Sequence, residues 1–118
     1  MTTVLIVDDH PEFRAAARAL LEADGFTVLG EAADGESAIG AVAMLDPELV
    51  LLDVQLPDID GFAVAERLLA GPRPAPAVVL ISTRAASSYR QRLAASPALG
   101  FIAKSELSAA SLSTLLAG

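Results

Sequence analysis

Short runs of consecutive apolar residues alternate along this chain with segments in which apolar residues recur every three or four positions. Val4–Val7, Leu49–Leu52 and Val78–Ile81 are each uninterrupted and aliphatic. Such runs, bounded by polar or turn-forming residues, are typical of strands that are buried on both faces. Weaker strands are predicted over Phe26–Ala33 and Gly100–Ala103. The pattern therefore predicts strands separated by helices.

A helix is predicted after each strand, from apolar residues that share one face. In the first, Pro11 suits the opening turn and Gly25 is expected to end the helix. The predicted helices cover Pro11–Gly25, the segments that begin at Gly35 and Gly61, Arg84–Ser96, and Glu106–Leu116. The fourth is the poorest, because Tyr89 and Leu93 form its one obvious apolar pair. Gly71–Pro76 contains three prolines and is predicted to be a loop.

This alternation of apolar strands and amphipathic helices predicts an α/β fold. Strands that are apolar on both faces imply a parallel sheet with helices on both sides. Right-handed crossovers then give a doubly wound, flavodoxin-like, five-stranded sheet of order 2-1-3-4-5 with five helices. The length of 118 residues suits one domain, which we expect to cover residues 1–118.

Composition excludes several classes of function. Apolar residues make up 53% of the chain, which is enough for a packed core, and the formal charge of -7 disfavours nucleic-acid backbones and anionic membranes. The chain has no cysteine, so disulfides and thiolate metal sites are excluded. Its apolar runs are too short to cross a bilayer and no secretory signal is visible. We therefore expect a cytoplasmic location.

Polar residues follow four of the five predicted strands at the point where each strand ends. These residues are Asp8 and Asp9, Asp53, Ser82, and Lys104. In open parallel sheets, ligands bind outside the carboxyl ends of the strands. We therefore expect three carboxylates, a hydroxyl and an ammonium to meet at one edge of the sheet.

The acidic residues of this set have two interpretations. Asp8 and Asp9 are also good caps for the first helix. Gathered with Asp53, however, they place like charges together, which favours a cation, and Mg²⁺ prefers such oxygen ligands. A carboxylate such as that of Asp53 can attack phosphorus to form an acyl phosphate. Lys104, the only lysine, would then offset charge on the phosphoryl oxygens.

Other residues near this edge are less decisive. Ser82 is placed to donate to a phosphoryl oxygen, but Thr83 is adjacent, so either hydroxyl remains a candidate. His10 is expected to be a surface residue at the start of the first helix, because the neighbouring ligands are all oxygen atoms. Phe101 lies three residues before Lys104 and is a candidate for movement between buried and exposed positions.

Taken together, these residues resemble the receiver domain of two-component response regulators. The resemblance covers the whole chain and rests on Asp8-Asp9, Asp53, Leu56-Pro57-Asp58, Asp60-Gly61, Ser82 and Gly100–Lys104. It implies that Asp53 accepts a phosphoryl group from a histidine kinase or phosphotransfer protein. It also implies a Mg²⁺ site formed by the side chains of Asp9 and Asp53 and the backbone carbonyl of Gln55, with Asp8 helping through water.

The same resemblance assigns the remaining residues. Ser82 and Lys104 match the hydroxyl and lysine of the phosphoryl site, and Phe101 matches the family's rotating aromatic residue, here without a hydroxyl. Thr83 stands where alanine is common, and Ser105 stands where many members have proline. These two differences affect access to the site and the shape of the last loop.

The opening Asp8–Pro11, together with Phe13-Arg14, looks like the branch that carries a C-terminal helix-turn-helix DNA-binding domain. The chain is then a stand-alone receiver or one module of a longer regulator with a downstream partner. Phosphorylation-dependent homodimers are a further expectation, with no contact of this domain with nucleic acid or membrane. The chain would catalyse only its own phosphoryl acceptance and loss.

Two alternative functions remain. One is a phosphatase with a nucleophilic aspartate, but such an enzyme needs a second acid two residues after the nucleophile, where this chain has Gln55. The other is an interaction module that keeps the fold and works without phosphate.

Overall fold

The computed structural model describes residues 2–71 and 74–117 and confirms the predicted sheet. Five parallel strands lie in the order β2-β1-β3-β4-β5. The strands are β1 (Thr3–Val7), β2 (Thr27–Ala32), β3 (Leu49–Asp53), β4 (Ala77–Ser82) and β5 (Gly100–Ala103). The helices are α1 (Pro11–Ala23), α2 (Gly35–Leu45), α3 (Gly61–Leu69), α4 (Arg90–Ala95) and α5 (Ala109–Ala117), with 3₁₀ turns at Ala86–Tyr89 and Lys104–Glu106.

The core forms one layer on each face of the sheet, because successive residues of a strand point to opposite sides. In β1, Leu5 and Val7 contribute to the layer under α2 and α3, whereas Val4 and Ile6 contribute to the layer under α1 and α5. Every residue of β3 is buried. β3 is therefore buried along its whole length and apolar up to its last residue, as expected of an inner strand in a parallel sheet covered on both faces.

The first helix ends as the glycine predicts. Gly25 has a φ of 91°, a left-handed conformation that glycine adopts without strain. Its N–H donates to the carbonyl of Glu22, and the N–H of Phe26 donates to that of Leu21. This pair of hydrogen bonds is a Schellman motif, which satisfies two carbonyls at the end of α1.

Two helix predictions are wrong in extent. Arg84–Ser96 forms only the 3₁₀ turn Ala86–Tyr89 and the six-residue α4, because Tyr89 is its one buried residue. The last helix begins at Ala109 rather than Glu106. Ser108 explains the late start, since its side chain accepts a hydrogen bond from the Ser111 N–H at 3.0 Å and so caps the helix there.

The predicted loop before β4 agrees with the structure where it is described. Pro72 and Arg73 lie outside the described residues, and the remaining positions of the loop have no helix or strand. No helix among residues 2–71 and 74–117 is long and apolar enough to cross a membrane.

Gly61 opens α3 directly against the end of β3. Its N–H donates to the Val54 carbonyl at 2.7 Å. A Cβ at this position would lie 2.2 Å from the carbonyl oxygen of Asp53 and 2.8 Å from the Cα of Val54. Both neighbours are backbone atoms, which cannot move aside as a side chain can. The absence of a side chain at Gly61 therefore fixes how closely α3 approaches the segment that carries Asp53.

We expect Gly61→Ala to lower the free energy of unfolding by about 1–3 kcal/mol, because the added methyl group forces β3 and α3 apart. Chemical denaturation followed by circular dichroism measures this change. Gly40→Ala is the matched control, since Gly40 lies within α2 and a Cβ there meets nothing within 4 Å. That variant should be more stable by about 0.5–1 kcal/mol, from helix propensity alone. Equal effects of the two substitutions would contradict the close approach at Gly61.

Candidate functional site

An acidic cluster lies where β1 and β3 end. Carboxylate oxygens of Asp8, Asp9 and Asp53 and a ring nitrogen of His10 all lie within 4.8 Å of one another. Asp8 and Asp53 are buried, whereas the Asp9 side chain is 37% exposed. The parallel pairing of β1 and β3 brings the two strand ends together. The structure thus brings together the three carboxylates that the sequence predicts would meet.

Lys104 supplies the positive charge of the site. Its Nζ lies 3.4 Å from Oδ2 of Asp53 and also forms an ion pair with Oδ2 of Asp8. The ammonium is 4.4 Å from the centre of the Phe13 ring, and its side chain is only 11% exposed. Lys104 directly follows β5, as predicted, and begins the 3₁₀ turn Lys104–Glu106. The turn leaves the ammonium between the two buried carboxylates.

The charges at this site do not balance. Burial raises the pKa of Asp53 above its ordinary value, and the nearby Asp8 adds to this shift, although the Lys104 ammonium acts in the opposite direction. A single ammonium therefore does not offset two buried carboxylates. Oδ2 of Asp8 is buried, and its contact is the ion pair with the Lys104 ammonium.

These features fit a divalent metal ion with a preference for oxygen. Carboxylate oxygens are ligands that Mg²⁺ takes in proteins, and three carboxylates meet here, two of them buried. A cation would also favour the ionised form of Asp53, which burial disfavours. The donor set and the unbalanced charge therefore both support the predicted cation site.

The alternative role of the two adjacent aspartates as helix caps is not observed. α1 has His10 as its N-cap residue, without a capping hydrogen bond from a side chain. Oδ1 of Asp8 instead accepts a hydrogen bond from the His10 N–H at 2.8 Å, before the helix begins. The Asp8 carbonyl accepts a hydrogen bond from Arg14. The local hydrogen bonds thus orient Asp8 into the acidic cluster instead of along the helix.

His10 is a surface residue, as predicted, with 66% of its side chain exposed. It nevertheless contacts the cluster, because Nδ1 lies 3.0 Å from the Asp8 carboxylate and 3.1 Å from that of Asp9. The sequence prediction missed this contact.

Ser82 lies at the end of β4 beside Asp53, but its hydroxyl is bonded elsewhere. Its Oγ accepts a hydrogen bond from the Arg84 N–H at 3.1 Å and lies 3.0 Å from the hydroxyl of Tyr89. Ser82 is buried and Thr83 is exposed. Of the two candidate hydroxyls, Ser82 is therefore the one held inside the protein, and its role toward a phosphoryl group stays a prediction.

Tyr89 is the residue near the site that the sequence analysis missed. It was expected to be part of an apolar pair, and it is indeed buried. Its ring packs between those of Phe62 and Phe101, with centroids 5.7 and 5.9 Å away. Its hydroxyl reaches that of Ser82 and so connects the residue before α4 to the end of β4. The sequence offers one signal of this contact, because the hydroxyl of a buried tyrosine usually has a hydrogen-bond partner.

The loop after β3 is shaped by its own polar residues. The N–H of Gln55 donates to Oδ1 of Asp53 at 3.2 Å, and the Gln55 side chain is exposed. The carboxylate of Asp58 accepts hydrogen bonds from the N–H groups of Gly35 and Glu36. These contacts tie the loop to the start of α2. The metal-binding role of the Gln55 carbonyl stays a prediction.

Comparison with known proteins identifies the class to which this fold and site belong. Residues 4–116 match the family model of the response regulator receiver domain. The chain therefore belongs to this family, which operates in two-component signalling. Among solved structures, it is similar to the signal receiver domain of NarL from Mycobacterium tuberculosis, with a TM-score of 0.86, 30% identity, and coverage of 99% of this chain and 98% of that chain.

Curated relatives include proteins named as transcriptional regulators. One from Pseudomonas aeruginosa is 41% identical over 106 residues, which are 90% of this chain and 51% of the relative. BvgA of Bordetella pertussis, named for positive transcription regulation of virulence factors, is 39% identical over 103 residues, or 87% of this chain and 49% of BvgA. The chain thus spans about half the length of these relatives.

In metal-free buffer near neutral pH, we expect Asp53→Asn to raise the free energy of unfolding by on the order of 1 kcal/mol, because it removes a buried charge beside Asp8. A raised pKa means that the folded protein holds the Asp53 proton more tightly than the unfolded chain does. Stability of the wild type should therefore fall as pH rises through that folded pKa.

Chemical denaturation across this pH range measures the free energy of unfolding of the wild type and of Asp53→Asn, and so the difference between them.

Asp9→Asn is the matched control, because Asp9 is partly exposed and its charge is better solvated, so a smaller gain is expected. Millimolar Mg²⁺ should stabilise the wild type more than Asp53→Asn, since the variant has lost one ligand. A variant that is less stable than the wild type in metal-free buffer would contradict this account of the site.

Proposed function

We propose that this domain accepts a phosphoryl group on Asp53 from a phosphohistidine of a histidine kinase or phosphotransfer protein, in a Mg²⁺-dependent reaction. A carboxylate oxygen of Asp53 forms the bond to phosphorus while the bond between phosphorus and the donor nitrogen breaks. The product is an acyl phosphate, and the leaving imidazole takes up a proton from solvent. The acyl phosphate hydrolyses later, so the domain catalyses only its own phosphoryl acceptance and loss.

One observation carries this proposal: the carboxylates of Asp53, Asp8 and Asp9 meet at the carboxyl edge of the sheet, and the Lys104 ammonium contacts both Asp53 and Asp8. A carboxylate in a purely structural role would need the ammonium but not the extra acids. A nucleophile for phosphorus needs both, because the ammonium offsets charge on the phosphoryl oxygens and the acids bind a cation that does the same.

The residues that would hold Mg²⁺ are the side chains of Asp9 and Asp53 and the backbone carbonyl of Gln55, with Asp8 acting through water. When bound, the ion supplies positive charge to the phosphoryl oxygens. Lys104 would add its own positive charge, since its ammonium already contacts the Asp53 carboxylate. Ser82 would donate its hydroxyl hydrogen to a phosphoryl oxygen.

We further infer how the signal leaves the site. Movement of Ser82 toward the phosphoryl group would allow Phe101 to turn inward and would shift α4 and β5. The segment is suited to such movement, because Tyr89 is the only buried residue of positions 83–99, all of which the structure describes. Segments with few buried contacts reposition at low cost.

Relatives that are named as transcriptional regulators, about half of whose length this chain spans, support a wider setting for the domain. We infer that residues 1–118 act as one receiver module in the cytoplasm, which regulates a downstream partner or a C-terminal DNA-binding domain and forms homodimers on phosphorylation. This domain itself would contact neither nucleic acid nor membrane. A phosphatase is disfavoured, because the residue two positions after Asp53 is the amide Gln55.

Incubation with acetyl phosphate and Mg²⁺ should add one phosphoryl group to the wild type, seen by intact mass spectrometry. The adduct should be absent in Asp53→Asn and when Mg²⁺ is removed by a chelator. Asp24→Asn is the matched control, since this exposed aspartate lies at the end of α1, away from the cluster, and it should accept phosphate like the wild type.

Other outcomes identify the alternatives. A protein that binds Mg²⁺ but forms no adduct with acetyl phosphate or with a phosphorylated kinase would be an interaction module that works without phosphate. Sustained turnover of phosphate esters would indicate the phosphatase. An adduct that persists in Asp53→Asn would show that another residue is the acceptor.

A further inference from the structure

We propose that Tyr89 is a positioning residue of the phosphoryl site: its hydroxyl donates to Ser82 and so leaves the hydrogen of Ser82 free for a phosphoryl oxygen on Asp53. The inference rests on the proposed function and extends it to a residue outside the strand ends.

The argument begins with the hydrogen-bonding capacity of a serine hydroxyl, which has one hydrogen and two lone pairs. One lone pair of Ser82 Oγ is used by the Arg84 N–H. The contact with the Tyr89 hydroxyl, at 3.0 Å, allows either oxygen to donate. If Ser82 donates, its only hydrogen is occupied by Tyr89. If Tyr89 donates, both lone pairs are used and the hydrogen must point to a third partner.

A phosphoryl oxygen on Asp53 accepts hydrogen bonds but cannot donate them at its ionised positions. It therefore selects the second arrangement, in which Tyr89 donates to Ser82 and Ser82 donates to the phosphoryl group. Hydrogen bonds in such a chain polarise one another, which strengthens the last one. Tyr89 thus acts on the phosphoryl group through Ser82 without contacting it.

The structure holds Tyr89 in the position that this role requires. Its ring is buried and packs between Phe62 and Phe101, so the hydroxyl has little freedom to swing away. It also ends the 3₁₀ turn Ala86–Tyr89 and directly precedes α4. A change in the hydrogen bond at Ser82 would therefore alter the contacts of Tyr89, which directly precedes α4, the helix that is expected to move.

The test compares wild type, Tyr89→Phe, Ser82→Ala and the double variant. Each is incubated with acetyl phosphate and Mg²⁺, and the rate of adduct formation is followed by intact mass. Tyr89→Phe should lower the rate roughly two- to tenfold, the effect expected of one hydrogen bond. Ser82→Ala should lower it at least as much, and the double variant should match Ser82→Ala, because Tyr89 acts only through Ser82. Ser88→Ala removes an exposed hydroxyl from the same turn and should leave the rate unchanged.

A second measurement leaves Tyr89 intact and so does not depend on folding of the Tyr89→Phe variant. The chain has one tyrosine and no tryptophan, so its tyrosine fluorescence comes from Tyr89 alone. Beryllium fluoride with Mg²⁺, used as a phosphoryl mimic, should produce a saturable change in this emission in the wild type. The change should be lost in Ser82→Ala, in which the hydroxyl has no serine to bond.

The outcomes separate the inference from the function on which it rests. An unchanged rate in Tyr89→Phe, multiplicative losses in the double variant, or the same fluorescence change in Ser82→Ala and wild type would each overturn the role of Tyr89 while the phosphoryl acceptor stands. Absence of any adduct on the wild type with both acetyl phosphate and a phosphorylated kinase would overturn the proposed function and this inference with it.

Discussion

Helices cover both faces of the parallel sheet, so its inner strands β1, β3 and β4 meet water only near their ends. That constraint makes β3 apolar until its last residue, where Asp53 is buried at the edge of the sheet. It also places Asp8 immediately after β1, so that two buried carboxylates share the ammonium of Lys104. Polar groups in the middle of these inner strands would be buried without a partner, whereas at this edge they can bind a cation or a phosphoryl group. The chemistry of the site is thus a consequence of how the core is built.

The same constraint explains why so much could be predicted from the sequence. An aliphatic run such as Leu49–Leu52 followed by Asp53 indicates both a buried strand and the position of its carboxyl end. Parallel order then brings Asp8 and Asp53 to adjacent positions without any knowledge of side-chain geometry. The strands and the acidic cluster are of this kind, because each follows from the spacing of apolar and polar residues along the chain. The strand order was predicted instead from the flavodoxin-like fold type.

The features that sequence reasoning missed depend on single hydrogen bonds between side chains or from a side chain to the backbone. The start of α5 is displaced from Glu106 to Ala109 by the side chain of Ser108, which no apolar pattern reveals. Tyr89 counts as apolar in a helical pattern, and only the folded chain shows that its hydroxyl meets Ser82. Such contacts join residues whose distance is set by packing of the surrounding elements, so periodicity does not report them.

Tyr89 also bears on how the segment between β4 and β5 is anchored. α4 has no buried residue, and Arg92 holds it from outside, by an ion pair with Asp60 at 2.7 Å and by lying over the Phe62 ring. Exposed ion pairs contribute at most about 1 kcal/mol, so these contacts orient the helix without fixing it. The buried ring of Tyr89 is the firmer attachment, and its hydroxyl touches the site. The Ser82–Tyr89 contact therefore connects the end of β4 to the residue that directly precedes α4.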